Sequence, residues 1–366
     1  MAINRVIISG GGTGGHIFPA IAIANAVKAK YPNCDILFVG AEGKMEMEKV
    51  PQAGYEIVGL PIRGLQRKLT LSNLSFPFKL IASLWKAKRI VRKFKPDIAI
   101  GVGGYASAAI VRMAASTGVP TLVQEQNSYP GITNKWLAKK AKTICVAYDG
   151  LERFFPKEKI IKTGNPVRNE VVQIANKKDE ALTHFGLKPN KKTLLVVGGS
   201  LGARTINNSL KANIQSLIDA DIQVIWQCGK FYFEDLKPLQ AQLPSETVFI
   251  NDFIFKMDLA YAAADYIVSR AGAMSVSELC LIGKPTILVP SPNVSEDHQT
   301  KNAMALVDAE AAILVKDADA QVELIPEIID LHKNVDQQMS FSRQIKTLGI
   351  DNAPERIVEE IEKIIN

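Results

Sequence analysis

One pattern occurs twice in this chain, and that repetition limits the folds open to it. Asp97-Ile98-Ala99-Ile100 leads to Gly104, Ser107 and then Gly118-Val119-Pro120-Thr121-Leu122-Val123. Asp265-Tyr266-Ile267-Val268 leads to Gly272 and Ser275 at the same offsets, and then to Gly283-Lys284-Pro285-Thr286-Ile287-Leu288-Val289. Each copy stands in a series of short apolar runs that alternate with helical patterns. In the first half the runs are 4–9, 35–39, 56–60, 97–101, 121–123 and 143–146, with helical patterns such as 19–30 and 132–141 between them. After about residue 163 the series restarts with 193–197, 223–227, 247–250, 266–269, 286–289 and 312–315. Such alternation predicts parallel sheets covered on both faces. With a glycine turn after the first strand of each half, it predicts an α/β chain of two Rossmann-like domains. A ligand is then expected in a cleft between them, facing the carboxyl ends of both sheets. The 366 residues suffice for two domains, each with its own core.

Composition excludes several classes. Hydrophobic residues make up 47% and charged ones 22%, which rules out a disordered or fibrous chain. Cys34, Cys145, Cys228 and Cys280 are widely spaced with no C-x-x-C pair, unlike a disulfide scaffold or a zinc knuckle, and they fit a reducing cytoplasm. Glycines interrupt the N-terminal MAINRVIISGGGTGG, which therefore reads as neither a signal peptide nor a membrane span.

The net charge of +7 has one source. Between Glu56 and Asp97 there is no acidic residue, while Arg63, Arg67, Lys68, Lys79, Lys86, Lys88, Arg89, Arg92, Lys93 and Lys95 are all basic. Without those ten the chain is slightly acidic. The stretch FPFKLIASLWKAKRIVRKFKP, from Phe76 to Pro96, reads as an amphipathic helix. Leu80, Leu84, Ala87, Val91 and Phe94 share one face, and Lys79, Lys86, Arg89 and Lys93 share another. Leu71, Leu74, Phe76 and Phe78 precede or open it, and Trp85 lies within it. A solvated basic face is the plain reading; an anionic membrane surface is the functional one, at about 1 kcal/mol per Lys or Arg. Nucleic acid suits the patch less well, because no reading module or interleaved stacking aromatics accompany it.

Three glycine-rich turns follow strand candidates: Gly10-Gly11-Gly12-Thr13-Gly14-Gly15-His16, Gly101-Val102-Gly103-Gly104-Tyr105-Ala106-Ser107, and Gly198-Gly199-Ser200-Leu201-Gly202-Ala203-Arg204. Glycine permits positive φ, so backbone N–H groups can turn toward an anion at a helix N-terminus. Pro19 is expected at an early helical position after the first turn. Three such turns suggest two phosphate-bearing ligands, one per domain. The first turn satisfies G-x-G-x-x-G, yet the second strand ends Val39-Gly40-Ala41 without the acid that holds a dinucleotide ribose. Nicotinamide and flavin cofactors are therefore disfavoured, and no G-x-x-x-x-G-K-[ST] loop occurs.

The series GGGTGGH (10–16), GVGGYAS (101–107), EQNSYPGITNKWLAK (125–139), GNPVR (164–168), VVGGSLGAR (196–204), SRAGAMSVSEL (269–279) and DHQTKNA (297–303) closely resembles the MurG family over essentially the whole chain. These bacterial transferases add N-acetylglucosamine to undecaprenyl-linked muramoyl-pentapeptide. The resemblance implies the two-domain GT-B fold, with an acceptor- and membrane-binding domain over 1–163 and a UDP-sugar domain over 164–349. The helix within 350–366 is expected to cross back onto the first domain. It also implies inverting transfer from UDP-N-acetylglucosamine to the O4 of N-acetylmuramic acid in lipid I, giving lipid II in peptidoglycan synthesis. The location implied is peripheral, on the cytoplasmic face of the plasma membrane, with other cell-wall synthesis proteins as further partners.

Residue roles carry over where the motif matches. Ser200 would meet the donor phosphates, Ile254 the uracil through its backbone, and Glu278 both ribose hydroxyls. Ala273, Met274, Ser275, Val276 and Ser277 would wrap the nucleotide with Glu278. Gln299 would bind sugar hydroxyls; Asn127 with Thr13, Gly14 and Gly15 would reach the donor sugar; Arg168 matches the arginine of GNPVR. The acceptor pyrophosphate is expected near Gly12, Gly103, Gly104 and Tyr105. His16 is one candidate base, since imidazole titrates near neutrality; it reads equally as a turn cap or phosphate contact. Glu125 is the other, against a buried structural carboxylate. The family often has His where this chain has Gln124. His184 and His332 read as surface residues, and His298 lies beside Gln299. No D-x-D stands in a credible position for a metal, Asp317-Ala318-Asp319 lying far along the chain in an expected loop, so neither a cofactor nor a bound metal is expected. Backbone amides and helix dipoles would then stabilise the leaving UDP. Three rival readings are a UDP-N-acetylglucosamine 2-epimerase, a transferase for a glycolipid or antibiotic aglycone, and a non-catalytic adaptor. The epimerase would lack the paired GGTGGH and GGSxGAR turns, the second would change the acceptor loops, and the adaptor would lose Glu278 or the turns.

Overall fold

A computed structural model of the protein describes residues 3–62, 76–199 and 201–366, without the side chains of 76–78 and 295. Ser200, Arg63, Arg67, Lys68, Leu71 and Leu74 lie outside the described residues, as do the side chains of Phe76 and Phe78. The chain divides into two compact units, Met1–Arg168 with Ile350–Asn366, and Asn169–Gly349.

The amino-terminal unit runs β1 (Arg5–Gly10), α1 (Gly14–Lys30), β2 (Asp35–Ala41), α2 (Glu46–Gln52), β3 (Glu56–Leu60), α3 (Phe76–Phe94), β4 (Ile98–Gly103), α4 (Tyr105–Ser116), β5 (Thr121–Glu125), α5 (Ile132–Ala138), β6 (Thr143–Val146) and β7 (Ile160–Lys162). Its strands form one parallel sheet in the order β3-β2-β1-β4-β5-β6-β7. The second unit runs α6 (Asn169–Val172), α7 (Lys178–Phe185), β8 (Lys192–Val197), α8 (Arg204–Asp219), β9 (Ile222–Gln227), α9 (Phe233–Gln240), β10 (Val248–Asn251), α10 (Met257–Ala263), β11 (Tyr266–Ser269), α11 (Ala273–Ile282), β12 (Thr286–Leu288), α12 (His298–Val307), β13 (Ile313–Leu314), α13 (Ala320–Lys333) and α14 (Val335–Thr347). Its sheet, also parallel, is ordered β10-β9-β8-β11-β12-β13. A last helix, α15 (Ala353–Ile365), belongs to the first unit.

Both sheets are doubly wound, and strand alternation supplies two cores to each. Val6, Ile8, Phe38 and Ile100 face α1 and α15, while Ile7, Val39, Ala99 and Val123 face α3, α4 and α5. Residues one apart point to opposite faces, so these near-continuous apolar runs are buried on both sides. α15 contributes Ile357, Val358 and Ile361 to the core beside β1. Its Glu362 accepts from Lys30, at 2.7 Å, and from the Tyr31 hydroxyl.

The duplicated pattern is a duplicated set of hydrogen bonds. Asp97 accepts the amides of Asn4 and Arg5 at 2.8 and 2.9 Å, tying the start of β1 to β4. Asp265 accepts the amide of Thr193 at 2.8 Å, tying β8 to β11 in the same way. The two prolines match as well, with Pro120 O accepting from Ala99 N and Pro285 O from Ile267 N. Gly104 and Gly272 are the residues that precede α4 and α11.

Three expectations shift. α1 begins at Gly14, inside the first glycine turn, so Pro19 is an interior residue of the helix. It cannot donate to the Gly15 carbonyl four residues back. α5 ends at Ala138, short of the expected 141. β7 was not expected: it has only three residues, and as an edge strand with Ile161 and Lys162 exposed it has no apolar signature.

Candidate active site

In a doubly wound sheet, ligands bind where the strand order reverses. Those points lie between β1 and β4 in one unit and between β8 and β11 in the other. All three glycine turns, and the segment that begins α11, follow these four strands.

In the amino-terminal unit the two turns pack on each other. The Gly11 amide donates to Gly103 O at 3.2 Å, and a Cβ on Gly104 would meet Gly11 O at 2.6 Å. His16 Nδ1 lies 3.0 Å from Gly11 O, and the ring rests where a Cβ on Gly103 would be, with Nε2 at 2.7 Å. Gly103, at φ +123°, is therefore fixed by both its conformation and the imidazole. Glu46, from α2, was not foreseen. It is 1% exposed, and its carboxylate accepts Gly12 N at 2.9 Å and Ala41 N at 3.0 Å. The Gly12 amide is thus spent on Glu46, so an anion near this turn would have to be met by its other groups. Thr13 precedes α1 and is exposed, Gly14 and Gly15 open that helix, and Tyr105 opens α4 with its side chain half exposed.

The loop after β5 is organised by Glu125, which is 1% exposed. Its Oε1 accepts from the amide and side chain of Asn127 at 3.0 and 3.1 Å, and its Oε2 from Gly131 N and Asn134 Nδ2 at 3.2 and 2.9 Å. With both oxygens engaged and shielded from solvent, Glu125 is built as a loop staple, which removes the geometric case for it as base. Gln124, where the family often has His, donates to Asn165 at 3.1 Å in a buried network with Gln126. Arg168 stacks on the Phe18 ring of α1 at 4.6 Å.

In the second unit the turn that contains Ser200 leads into α8, and α11 begins at Ala273. Ala273 and Val276 are buried, while Met274, Ser275, Ser277 and Glu278 are half-buried. Glu278 Oε2 accepts from Tyr261 OH at 2.8 Å, which orients the carboxylate, and Ser277 Oγ donates to Ala273 O. The Ile254 amide is taken by Gln227 Oε1 at 3.0 Å, so its carbonyl is the backbone group left for a base. Gln299 Oε1 accepts Ser291 N at 2.9 Å, leaving the amide NH2 as donor. Asp317, of the D-x-D, is held by Arg270 and by Thr205 at 2.8 Å; that pairing gives it a structural task.

Helix electrostatics leave these positions open to an anion, a feature they share with α5 and α12, which also lack a side-chain cap and a first-turn acid. α1, α4, α8 and α11 have no side-chain cap and no acid in the first turn. α9, α10 and α13, farther from the reversal points, carry Glu234 and Asp235, Asp258, and Glu323 there. An acid in the first turn stabilises a helix, so four bare N-termini at the reversal points favour external anions.

The buried thiols and His332 have structural settings. Burial pushes the thiols of Cys34 and Cys228 up to about 11 and Cys280 up to about 12, which leaves them unreactive. His332 is not a plain surface residue: it meets Tyr266 OH at 2.9 Å, and burial with Lys192 nearby lowers its pKa. Along α3, Ala87 and Val91 are buried and Leu80, Leu84 and Phe94 pack against the core. Lys86, Arg89 and Lys93 are exposed, Lys79 is half-buried, and Trp85 and Ile81 stand out at 77% and 59% exposure. Lys86 finds a partner after all, Glu42 at 2.9 Å, from outside the acid-free segment. Among the described residues no helix is long and apolar enough to cross a membrane.

The profile of the glycosyltransferase family 28 N-terminal domain matches residues 6–146, and that of its C-terminal domain matches 193–357. A Cytophaga hutchinsonii protein is 60% identical over 362 residues, which is 99% of this chain and 97% of its own length. It is named UDP-N-acetylglucosamine–N-acetylmuramyl-(pentapeptide) pyrophosphoryl-undecaprenol N-acetylglucosamine transferase. A Parabacteroides distasonis protein of the same name is 56% identical over 362 residues, covering 99% of this chain and 98% of its own. Among solved structures, Acinetobacter baumannii MurG superposes with a TM-score of 0.77 at 29% identity, covering 98% of this chain and 99% of that one.

Proposed function

The chain belongs to glycosyltransferase family 28, and we propose that it transfers N-acetylglucosamine from UDP-N-acetylglucosamine to undecaprenyl-pyrophosphoryl-muramoylpentapeptide, turning lipid I into lipid II for peptidoglycan synthesis. The relatives' names support the activity. The observation that carries the chemistry is the contrast between the two reversal points. One offers bare helix N-termini beside the oriented carboxylate of Glu278; the other offers an imidazole on a glycine turn.

The donor is assigned to the second unit. The α8 and α11 N-termini face its diphosphate, Glu278 accepts from the ribose hydroxyls, Ile254 O accepts from the uracil N–H, and the Gln299 amide donates to the sugar. The acceptor is assigned to the first unit. His16 Nε2 takes the proton of the muramoyl O4 hydroxyl as that oxygen attacks C1 of the donor sugar. The C1–O bond to UDP breaks in the same displacement, which inverts the anomeric centre. Charge appearing on the leaving diphosphate is met by the helix N-terminal amides, so the reading needs no resident metal.

Purified protein incubated with labelled UDP-N-acetylglucosamine and a short-chain lipid I analogue is expected to give a disaccharide-lipid. Absence of that product with the sugar nucleotide intact would overturn the assignment; a free 2-epimerised sugar would favour an isomerase.

The acceptor's lipid tail supports peripheral docking at the cytoplasmic face through α3. Its solvent side pairs exposed Trp85 with Arg89 and Lys93, the combination that settles at an anionic interface. Reversing Lys79, Lys86, Arg89 and Lys93 to Glu should weaken binding to anionic vesicles and spare UDP binding. Unchanged vesicle binding would leave the patch an ordinary solvated face.

A further inference from the structure

We propose that Glu46 is a positioning residue for His16, acting through the one peptide unit that joins Gly11 to Gly12. The inference rests on the reading of His16 as the base. The two hydrogen bonds that define it belong to a single amide plane. Its N–H, on Gly12, donates to Glu46 Oε2 at 2.9 Å; its C=O, on Gly11, lies 3.0 Å from His16 Nδ1. A carbonyl oxygen only accepts, so Nδ1 carries the ring proton and Nε2 keeps the lone pair. An amide whose N–H faces an anion is a stronger acceptor at its oxygen, because hydrogen bonds in series polarise one another. The carbonyl thus selects the tautomer, and the carboxylate strengthens that selection at a distance of one peptide.

The surroundings are built for this arrangement. A Cβ on Gly11 would fall 2.2 Å from Glu46 Oε1, one on Gly40 would fall 2.6 Å from Glu46 Cγ, and one on Gly103 would strike the imidazole. Three glycines, from three strand ends, therefore make room for one carboxylate and one imidazole. Glu46 forms no ion pair among the described residues, although it is 1% exposed. Burying a carboxylate is costly unless its lone pairs are used. Here two N–H donors, from Gly12 and Ala41, converge on it. Carboxylate is the side chain that accepts at both oxygens and donates at neither; glutamine would turn an NH2 toward one of those amides.

The test reads the tautomer directly. In 15N-histidine-labelled protein, with His16 assigned by its loss in H16Q, the imidazole should show the Nδ1–H form at neutral pH. An Nε2–H form in the wild type overturns the proposal before any Glu46 variant is made. In E46Q the population should move toward Nε2–H, kcat with the lipid I analogue should fall more than tenfold, and the KM for UDP-N-acetylglucosamine should stay unchanged. In an H16A background the same substitution should cost no further activity, since the two act as one unit. An E46Q protein with the wild-type tautomer, or an equal loss with and without His16, overturns the relay and leaves Glu46 a turn brace. Undiminished turnover by H16A would instead sink the base reading, with the tautomer shift still judging the link to Glu46.

Discussion

The two units share a sheet plan, an aspartate that ties the first strand to its neighbour, and a glycine that opens the helix after it. They differ in what fills the point where the strand order reverses. In the first unit side chains enter the glycine turns: Glu46 below and His16 above, each in space that a Cβ would take. In the second unit α8 and α11 open uncapped, and the nearest oriented carboxylate, Glu278, lies one turn along α11. On the function proposed above, one framework serves twice, once to hold a proton acceptor and once to hold an anion. The shared scaffold explains the repeated residues; the proposed reaction is assigned to the unshared ones.

That contrast breaks most sharply at His16. H16A should reduce kcat by about 100- to 10,000-fold, the range for a positioned acid–base group, while UDP affinity by calorimetry stays at wild type. If UDP binding falls in step with turnover, the division of labour between the units is wrong. E278Q should do the reverse, weakening UDP by about 10- to 100-fold through loss of charge-assisted hydrogen bonds, with a smaller change in kcat at saturating donor. The smallest effect is expected for the shared residues. D97N and D265N should each lower unfolding free energy by about 1 kcal/mol in urea titrations, D265N also giving up the ion pair with Lys178. A large activity loss in just one of them would show that the repeat has diverged in function as well as in side chains.

Much of this was legible in the chain. Every apolar run read as a strand is one, because parallel strands buried on both faces are apolar throughout; β7 escaped because it is short and exposed. The helix at 76–94 was readable from periodicity, and the glycine turns from their composition. What stayed hidden depended on partners distant in sequence. Glu46 looks like an ordinary first-turn acid of a short helix, and nothing local says that its carboxylate runs beneath a turn more than 30 residues earlier. Glu125 and Glu46 are both buried acids, yet which of them braces a loop and which faces the turn beneath His16 is a matter of neighbours. Lys86 looked uncompensated until the fold brought Glu42 to it.

The sequence by itself determined the two-unit α/β plan, the reversal-point turns and the class of substrate, since these follow from periodicity, glycine and a chain-long motif series. Only the tertiary structure decided which groups at those turns remain open for chemistry. It withdrew the Gly12 amide, occupied both oxygens of Glu125 and turned His16 so that Nδ1 meets a carbonyl. The physical reason is that a hydrogen bond spends a donor, and where it is spent depends on which strands lie side by side.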